Sequence, residues 1–364
     1  MLRISKKYTL LVAIMLVIFS GLMLLGCSDT GSSGSDDKSG GSSDSAGTTP
    51  EKTNFIFLSG PTGTTWYSQA SALPGILSKE YDWKVDVRPG SAISNVIMVE
   101  QGKADIGLTF SSFLAAMAEG KVVAVQGENE YFKEPVQNAV QMMNATTAAY
   151  VLLVDAKSPY YKITDLKDKP ITYVTYPAGF TAKYVPENML ALHGVPIESI
   201  EKAGGKVITV SKYQEACDLL AKGQADCVAY TMAVNTQSAA LSELESQREF
   251  RMLELDPQVI PEITKEIPVV ECTIAKGLHK SIKEDTVQMA DVTIWMVNKS
   301  LPDEAVEKIC DAVLKNMNIM AEVGNSEFTG FTAKEMSRLA GEGPQPKYHP
   351  GAVKFYAKHG ITVE

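Results

Sequence analysis

The chain has 364 residues, with 43 Asp and Glu against 34 Lys and Arg, for a formal net charge of −9. That length suffices for two domains of ordinary size, and the acidic balance argues against nucleic acid, whose phosphates demand clustered Lys and Arg. A small anion is not excluded, because a local site can oppose the charge of the whole surface.

Three segments differ sharply in character. Arg3, Lys6 and Lys7 open the chain, and Tyr8 to Leu25 is almost wholly apolar. That order predicts a secretory leader over residues 1–26. The run is also long enough to cross a bilayer uncleaved, so a plain membrane anchor is the competing reading. Leu24-Leu25-Gly26-Cys27 resembles a bacterial lipobox, in which Cys27 would carry the lipid. Multiple acyl chains there would anchor the protein firmly. Residues 27–52 are mostly Ser, Gly, Asp and Thr and predict a flexible tether. The domains begin near Thr53, outside the membrane on either reading.

From there strands and helices alternate. Phe55 to Leu58 is a short apolar run of buried-strand type, and the turn "SGPTGTTWY" follows. Trp66, Ala70, Leu73 and Leu77 then fall on one helical face. Val85 and Val87 alternate with polar residues as a strand does. "GSAISNVIMVEQG" is a turn and a helix, Gly102 to Asp105 a second turn, and "IGLTF" another strand. The same order recurs downstream. "ITYVT" from Ile171 is strand-like, and "YPAGFTAKYVPENMLALHGV" is a glycine turn entering a helix. Residues 206–210 are strand-like, 211–221 helical, and Gly223 to Asp226 repeats the Gly-x-Ala-Asp turn before the strand "CVAYT". Residues 271–364 read as more helical, and Val306, Ile309, Val313, Met317 and Met320 have core spacing. Two matched turns in matched order predict two α/β lobes of similar winding. Ligands of such sheets bind beyond the carboxyl ends of the strands, so facing lobes would form a cleft.

The turn from Gly60 to Trp66 lacks the spacing and lysine of a P-loop, and no dinucleotide fingerprint is present. What remains is an anion held by free N–H groups and Thr hydroxyls at a helix start, or a Thr64 or Thr65 that merely caps its own helix. The stretch alone favours the cap, and the matching turn at Gly179 narrows the difference, since two such ends facing one cleft could share a small acid. Catalysis has little support. No Gly-x-Ser-x-Gly lies on a strand–helix turn, and His193, His279, His349 and His359 have no metal spacing. Asp105 and Asp226 suit turn stabilisation, with an acid/base pair as the enzymatic alternative. Neither metal nor cofactor is implied. Cys217, Cys227, Cys272 and Cys310 are compatible with disulfides or with buried thiols. Trp66 and Tyr67 could stack on a ligand or join the core, and Arg88 at a strand end could pair with a carboxylate or remain at the surface.

The stretches "SGPTGTTWY", "PGSAISNVIMVEQGKADIGLTFS", "YPAGFTA" and "YHPGAVKFY" resemble TAXI-type solute-binding proteins, the TRAP-associated extracytoplasmic family, over most of residues 53–360. The resemblance implies an α/β, periplasmic-binding-protein-like fold of type II, with two lobes joined by a hinge around a ligand cleft. It divides the chain into a first lobe over 53–149, a second over 150–255, and a return to the first with C-terminal helices over 256–364. It implies a glutamate-like or other small organic acid as ligand, a TRAP permease in the membrane as partner, and no enzymatic activity. Its ligand positions fall on Thr62, Gly63, Thr64, Thr65, Trp66, Tyr67, Ser91 and Asn95 in the first lobe and Gly179, Phe180 and Thr181 in the second. Ser111 and Ser112 stand where relatives often carry Gln and Asp, and Trp66-Tyr67 where Tyr-Tyr is common; Arg88 is added on its position. Outside this family, a membrane-tethered sensor with a signalling partner would have the same features.

Overall fold

Phe57 and Leu73, both fully buried, show how the first unit is assembled: an apolar strand and a helix seal each other from water. The computed structural model describes residues 52–121, 134–323, 326–338 and 345–364. The leader, Cys27 and the tether as far as residue 51 lie outside the described residues. In chain order, β1 (Asn54–Leu58) leads to α1 (Thr65–Tyr81), β2 (Lys84–Arg88), α2 (Ala92–Glu100), β3 (Ile106–Phe110), α3 (Ser111–Ala118) and the long β4 (Ala139–Asp155). Then come β5 (Thr172–Thr175), α4 (Thr181–Leu192), α5 (Ile197–Lys202), β6 (Lys206–Thr209), α6 (Tyr213–Ala221), β7 (Cys227–Ala233), α7 (Ala239–Gln247) and β8 (Phe250–Met252). The remainder holds α8 (Ile260–Glu266), β9 (Val270–Ile274), β10 (Thr286–Asn298), α9 (Asp303–Lys315), α10 (Met317–Val323), α11 (Ala333–Ser337) and α12 (Pro350–Lys358).

The strands lie in the order β2-β1-β3-β10-β4-β7-β5-β6, with β8 on β4 and β9 on β10. Each end of this sheet is a parallel trio, β2-β1-β3 and β6-β5-β7, and the two trios have the same winding. The antiparallel pair β10 and β4 joins them, β10 beside β3 and β4 beside β7. This is the mixed α/β, two-unit class expected from the sequence.

The internal repeat extends to hydrogen bonds. Asp105 Oδ2 accepts the Ile56 N–H at 2.9 Å, and Asp226 Oδ2 accepts the Thr172 N–H at 2.7 Å. Each Gly-x-Ala-Asp turn thus ties itself to the first strand of its own trio. The equivalent turns after β1 and β5 each use a glycine with positive φ, Gly63 at 84° and Gly179 at 95°, a conformation that side chains resist.

One expectation needs correction. Residues 271–298 are not helical but contain β9 and β10, and β10 is the central strand of the sheet. Like β4, it is buried almost throughout because neighbours cover both faces, and its polar residues (Gln288, Asp291 and Thr293 among them) are buried too, so the alternation that marks a half-exposed strand is missing. The stripe from Val306 to Met320 is buried core beneath α1 and α12. Cys217, Cys227, Cys272 and Cys310 are free thiols, and all but Cys272 are buried.

Candidate ligand-binding cleft

A cavity of about 460 Å³ opens between the two trios, where their strands deliver their carboxyl ends. The first unit contributes Gly60 to Trp66, Ser91, Ala92 and Phe110; β4 contributes Thr146 and Ala148. The second contributes Phe180, Thr181, Lys212 to Gln214, Tyr230 to Ala233 and Thr236 to Ala240. Five helices, α1, α2, α4, α6 and α7, therefore begin on this space.

Helix starts usually attract Asp or Glu, which the positive end of the backbone dipole favours. Here α1, α2, α4 and α7 have no acid in their first turns. Among the described residues lining the cavity there is no Asp or Glu at all, and Lys212 is the one charged side chain. Thr64 Oγ1 caps α1 by accepting the Tyr67 N–H at 3.3 Å while donating to the Pro61 carbonyl at 2.7 Å. The amides of Thr65 and Trp66, and of Thr181 and Ala182 on the other side, have no partner among the described residues. The capping reading of the opening turn is thus seen at Thr64, and the donors of Thr65 and Trp66 lie beyond it.

Aromatic rings wall the space from both sides. Trp66 packs on Phe110 with centroids 4.9 Å apart, and its indole N–H donates to Thr293 Oγ1 on β10 at 3.1 Å. Opposite, Tyr213 meets Tyr230 at 4.9 Å and Tyr176 at 4.9 Å. Burial pushes the Tyr213 phenol up to about 12, so it stays an uncharged hydroxyl well into the alkaline range. Tyr230 shares a 2.7 Å hydrogen bond with Ser238, the N-cap of α7. Ser238 is held from behind: its N–H donates to His279 Nε2 at 3.1 Å, and His279 Nδ1 faces Glu245 Oε2 at 3.3 Å. The tautomer with its proton on Nδ1 satisfies both contacts.

The units also touch directly. The Ile93 N–H, in the first turn of α2, donates to the Gly179 carbonyl at 3.1 Å, and Phe113 sets its edge against Tyr184 at 5.4 Å. Behind the cleft, Asp291 of β10 is fully buried. Its Oδ1 accepts the Ser112 N–H at 3.2 Å and the Val292 N–H at 2.7 Å, while Oδ2 has no partner. Burial pushes its carboxyl up to about 7, against those hydrogen bonds, which favour the ionised form. The N-terminus of α3 is therefore filled by an internal acid, whereas those of the other five helices face the cavity.

The sequence profile of the NMT1-like family matches residues 57–360. The chain belongs to the NMT1-like family. A search of the curated proteins found no match. Among solved structures, this NMT1-like chain is similar to a periplasmic transporter protein at 13% identity and TM-score 0.48, covering 84% of this chain and 94% of that one. It is also similar to the substrate-binding protein of an amino acid ABC transporter, at 11% identity and TM-score 0.42 over 76% and 99% of the two chains. A third is a binding protein component of an ABC phosphonate transporter from Pseudomonas aeruginosa, at 12% identity and TM-score 0.46 over 75% and 78%.

In the NMT1-like chain, Thr62, Gly63, Thr64, Thr65, Trp66, Ser91, Phe180 and Thr181 meet at the cavity. The other residues singled out from the sequence lie elsewhere. Tyr67 is half-buried outside the lining. Arg88 is exposed on edge strand β2 and pairs with Asp86 at 2.7 Å. Asn95 is buried, donating to the carbonyls of Ser59 and Leu108 at 2.9 and 2.8 Å and accepting the Ser91 N–H at 3.1 Å. It pins the start of α2 to the ends of β1 and β3. Ser111 and Ser112 are buried at the start of α3 beside Asp291. Gly179 is engaged by Ile93.

Sequence reasoning missed the second wall, Lys212 to Gln214, Tyr230 to Ala233 and Thr236 to Ala240. The repeat held part of that signal: α6 follows β6 as α2 follows β2, so its start had to face the cleft as Ser91 does.

Proposed function

We propose that this protein is the extracytoplasmic solute-binding component of a TRAP-type membrane transporter and captures a small organic acid. The observation that carries this reading is the convergence of five helix N-termini, four without an acid in the first turn, on one cavity with no carboxylate in its described lining. Such a space holds positive potential, and the N–H donors of Thr65, Trp66, Thr181 and Ala182 have no partner among the described residues. Thr62 to Trp66 and Ser91 would grip the acid from one side, Phe180 and Thr181 from the other.

In this reading residues 53–149 and 256–364 form one lobe and 150–255 the second, and closure brings both grips onto the same carboxylate. A ligand touching both lobes favours the closed state by its differential contacts, and the Ile93–Gly179 bond is one that closure would complete. A lipid on Cys27 would keep the loaded protein at the membrane beside its permease.

The test is thermal denaturation of ligand-stripped protein against a panel of amino, oxo, hydroxy and dicarboxylic acids. Binding to the native state raises the melting temperature with ligand concentration. Mass spectrometry of ligand released from freshly purified protein gives an independent answer. A folded sample that no acid stabilises, and that releases none, would sink the proposal.

A further inference from the structure

The lining also speaks to which acids fit. An amino acid carries an ammonium beside its carboxylate, and burying that charge without a counter-ion is costly. Among the described residues no Asp or Glu lines the cavity, and Asp291 lies outside the lining with Oδ1 already accepting two backbone N–H groups. A dicarboxylate would meet the opposite difficulty, since its second anionic group would have to share the helix ends with the first, and Lys212 is the one cationic side chain available. The rest of the wall carries no charge: the apolar part is Trp66, Phe110, Phe180, Tyr213, Tyr230 and Met232, and the polar part is hydroxyls and the neutral amides of Gln214 and Gln237. Aromatic faces can attract a cation, but the acid-free starts of α1, α2, α4 and α7 around the same space oppose one here, so the rings are walls for an uncharged body.

We infer that the cleft selects a monocarboxylate with an apolar or aromatic body and no ammonium group, such as a 2-oxo or aryl-substituted acid, over amino acids and dicarboxylates. This rests on the acid-binding reading above. The carboxylate lies at the helix starts, where the amides of Thr65, Trp66, Thr181 and Ala182 have no internal partner. Hydroxyls at Thr62, Ser68 and Thr236 line the same space and can donate to a 2-oxo oxygen but cannot neutralise an ammonium. A cavity of about 460 Å³ has room for a ring or a branched chain as well as the acid.

Isothermal titration of the full-length, ligand-stripped protein with matched pairs decides the matter. The probes are phenylpyruvate and phenylalanine, 4-methyl-2-oxopentanoate and leucine, and 2-oxoglutarate and glutamate, with phenylacetamide as the uncharged control. At least one 2-oxo monocarboxylate should bind about tenfold or more tightly than its amino partner and than either dicarboxylate, and the amide should be silent. Leucine or phenylalanine binding as tightly as its oxo partner, or a dicarboxylate binding best, overturns the inference and leaves the acid-binding function standing. Silence from every acid overturns both.

Discussion

Replacing Asp291 by Asn removes the charge buried in the central strand while keeping the shape of the side chain. Unfolded, the carboxyl ionises near 3.8; folded, it keeps its proton to about 7. Between those values the native state holds one proton more than the unfolded chain, so stability falls as pH rises through that window and levels off above it. The displacement corresponds to about 4 kcal/mol of lost stability at pH 8 relative to pH 4, an upper figure for a site that can relax. Asparagine has no such titration. Its Oδ1 can still accept from Ser112 and Val292, but its amide must replace an Oδ2 that has no partner, costing ~1–3 kcal/mol. Urea unfolding at each pH from 4 to 8 should therefore show the variant less stable than the parent in acid and equal or more stable above pH 7. The difference between the two curves should change by a few kcal/mol across the window. A difference that stays constant with pH would refute the picture of a buried carboxyl that is neutral in acid and ionised only at cost.

Three further outcomes follow from the geometry. Thr65→Ala should weaken acid binding about three- to tenfold in titration calorimetry with little change in melting temperature, because Thr64 supplies the cap of α1; a collapse in stability would return this turn to a purely structural role. Asn95→Ala should cost ~2–4 kcal/mol in denaturant unfolding, since it orphans the Ser59 and Leu108 carbonyls and the Ser91 amide at once; a variant as stable as the parent would show that the pin is dispensable. Gly351→Ala should destabilise by ~1–3 kcal/mol or more, because an added Cβ would lie 2.2 Å from the Asp303 carbonyl oxygen and would lever α12 off α9; an unchanged thermal midpoint would contradict that close approach.

The parallel trios were legible because their strands alternate with amphipathic helices and their turns carry glycine at fixed places. The joining strands were not. β4 and β10 are covered on both faces, so "AVQMMNATTAAYVLLVD" and "TVQMADVTIWMVN" lack periodicity, and their length and Met content offer no substitute. The candidate site was half legible. Thr62 to Trp66 could be placed because a turn after a strand must open on the cleft. Asn95 could not be told from a ligand residue, since the same amide can face a solute or backbone groups such as those of Ser59, Ser91 and Leu108. Arg88 was ambiguous for a related reason: a strand end near the cleft has two faces, and this side chain is on the exposed one, paired with its same-face neighbour Asp86. Asp291 left one trace, an acid inside an apolar run, whose meaning depends on the Ser112 amide far away in sequence.

The place of β10 in the sheet also sets an order of assembly. The strands β5 to β8 lie consecutively between residues 172 and 252, directly after the joining strand β4, so the second trio can pair from one continuous stretch. The first unit cannot, because the strand that belongs beside β3 arrives only with residues 286–298 and its covering helices later still. During synthesis β3 would wait with one edge open, a template for wrong pairing. A chain truncated before residue 286 should therefore keep a folded second half and expose an aggregation-prone first one.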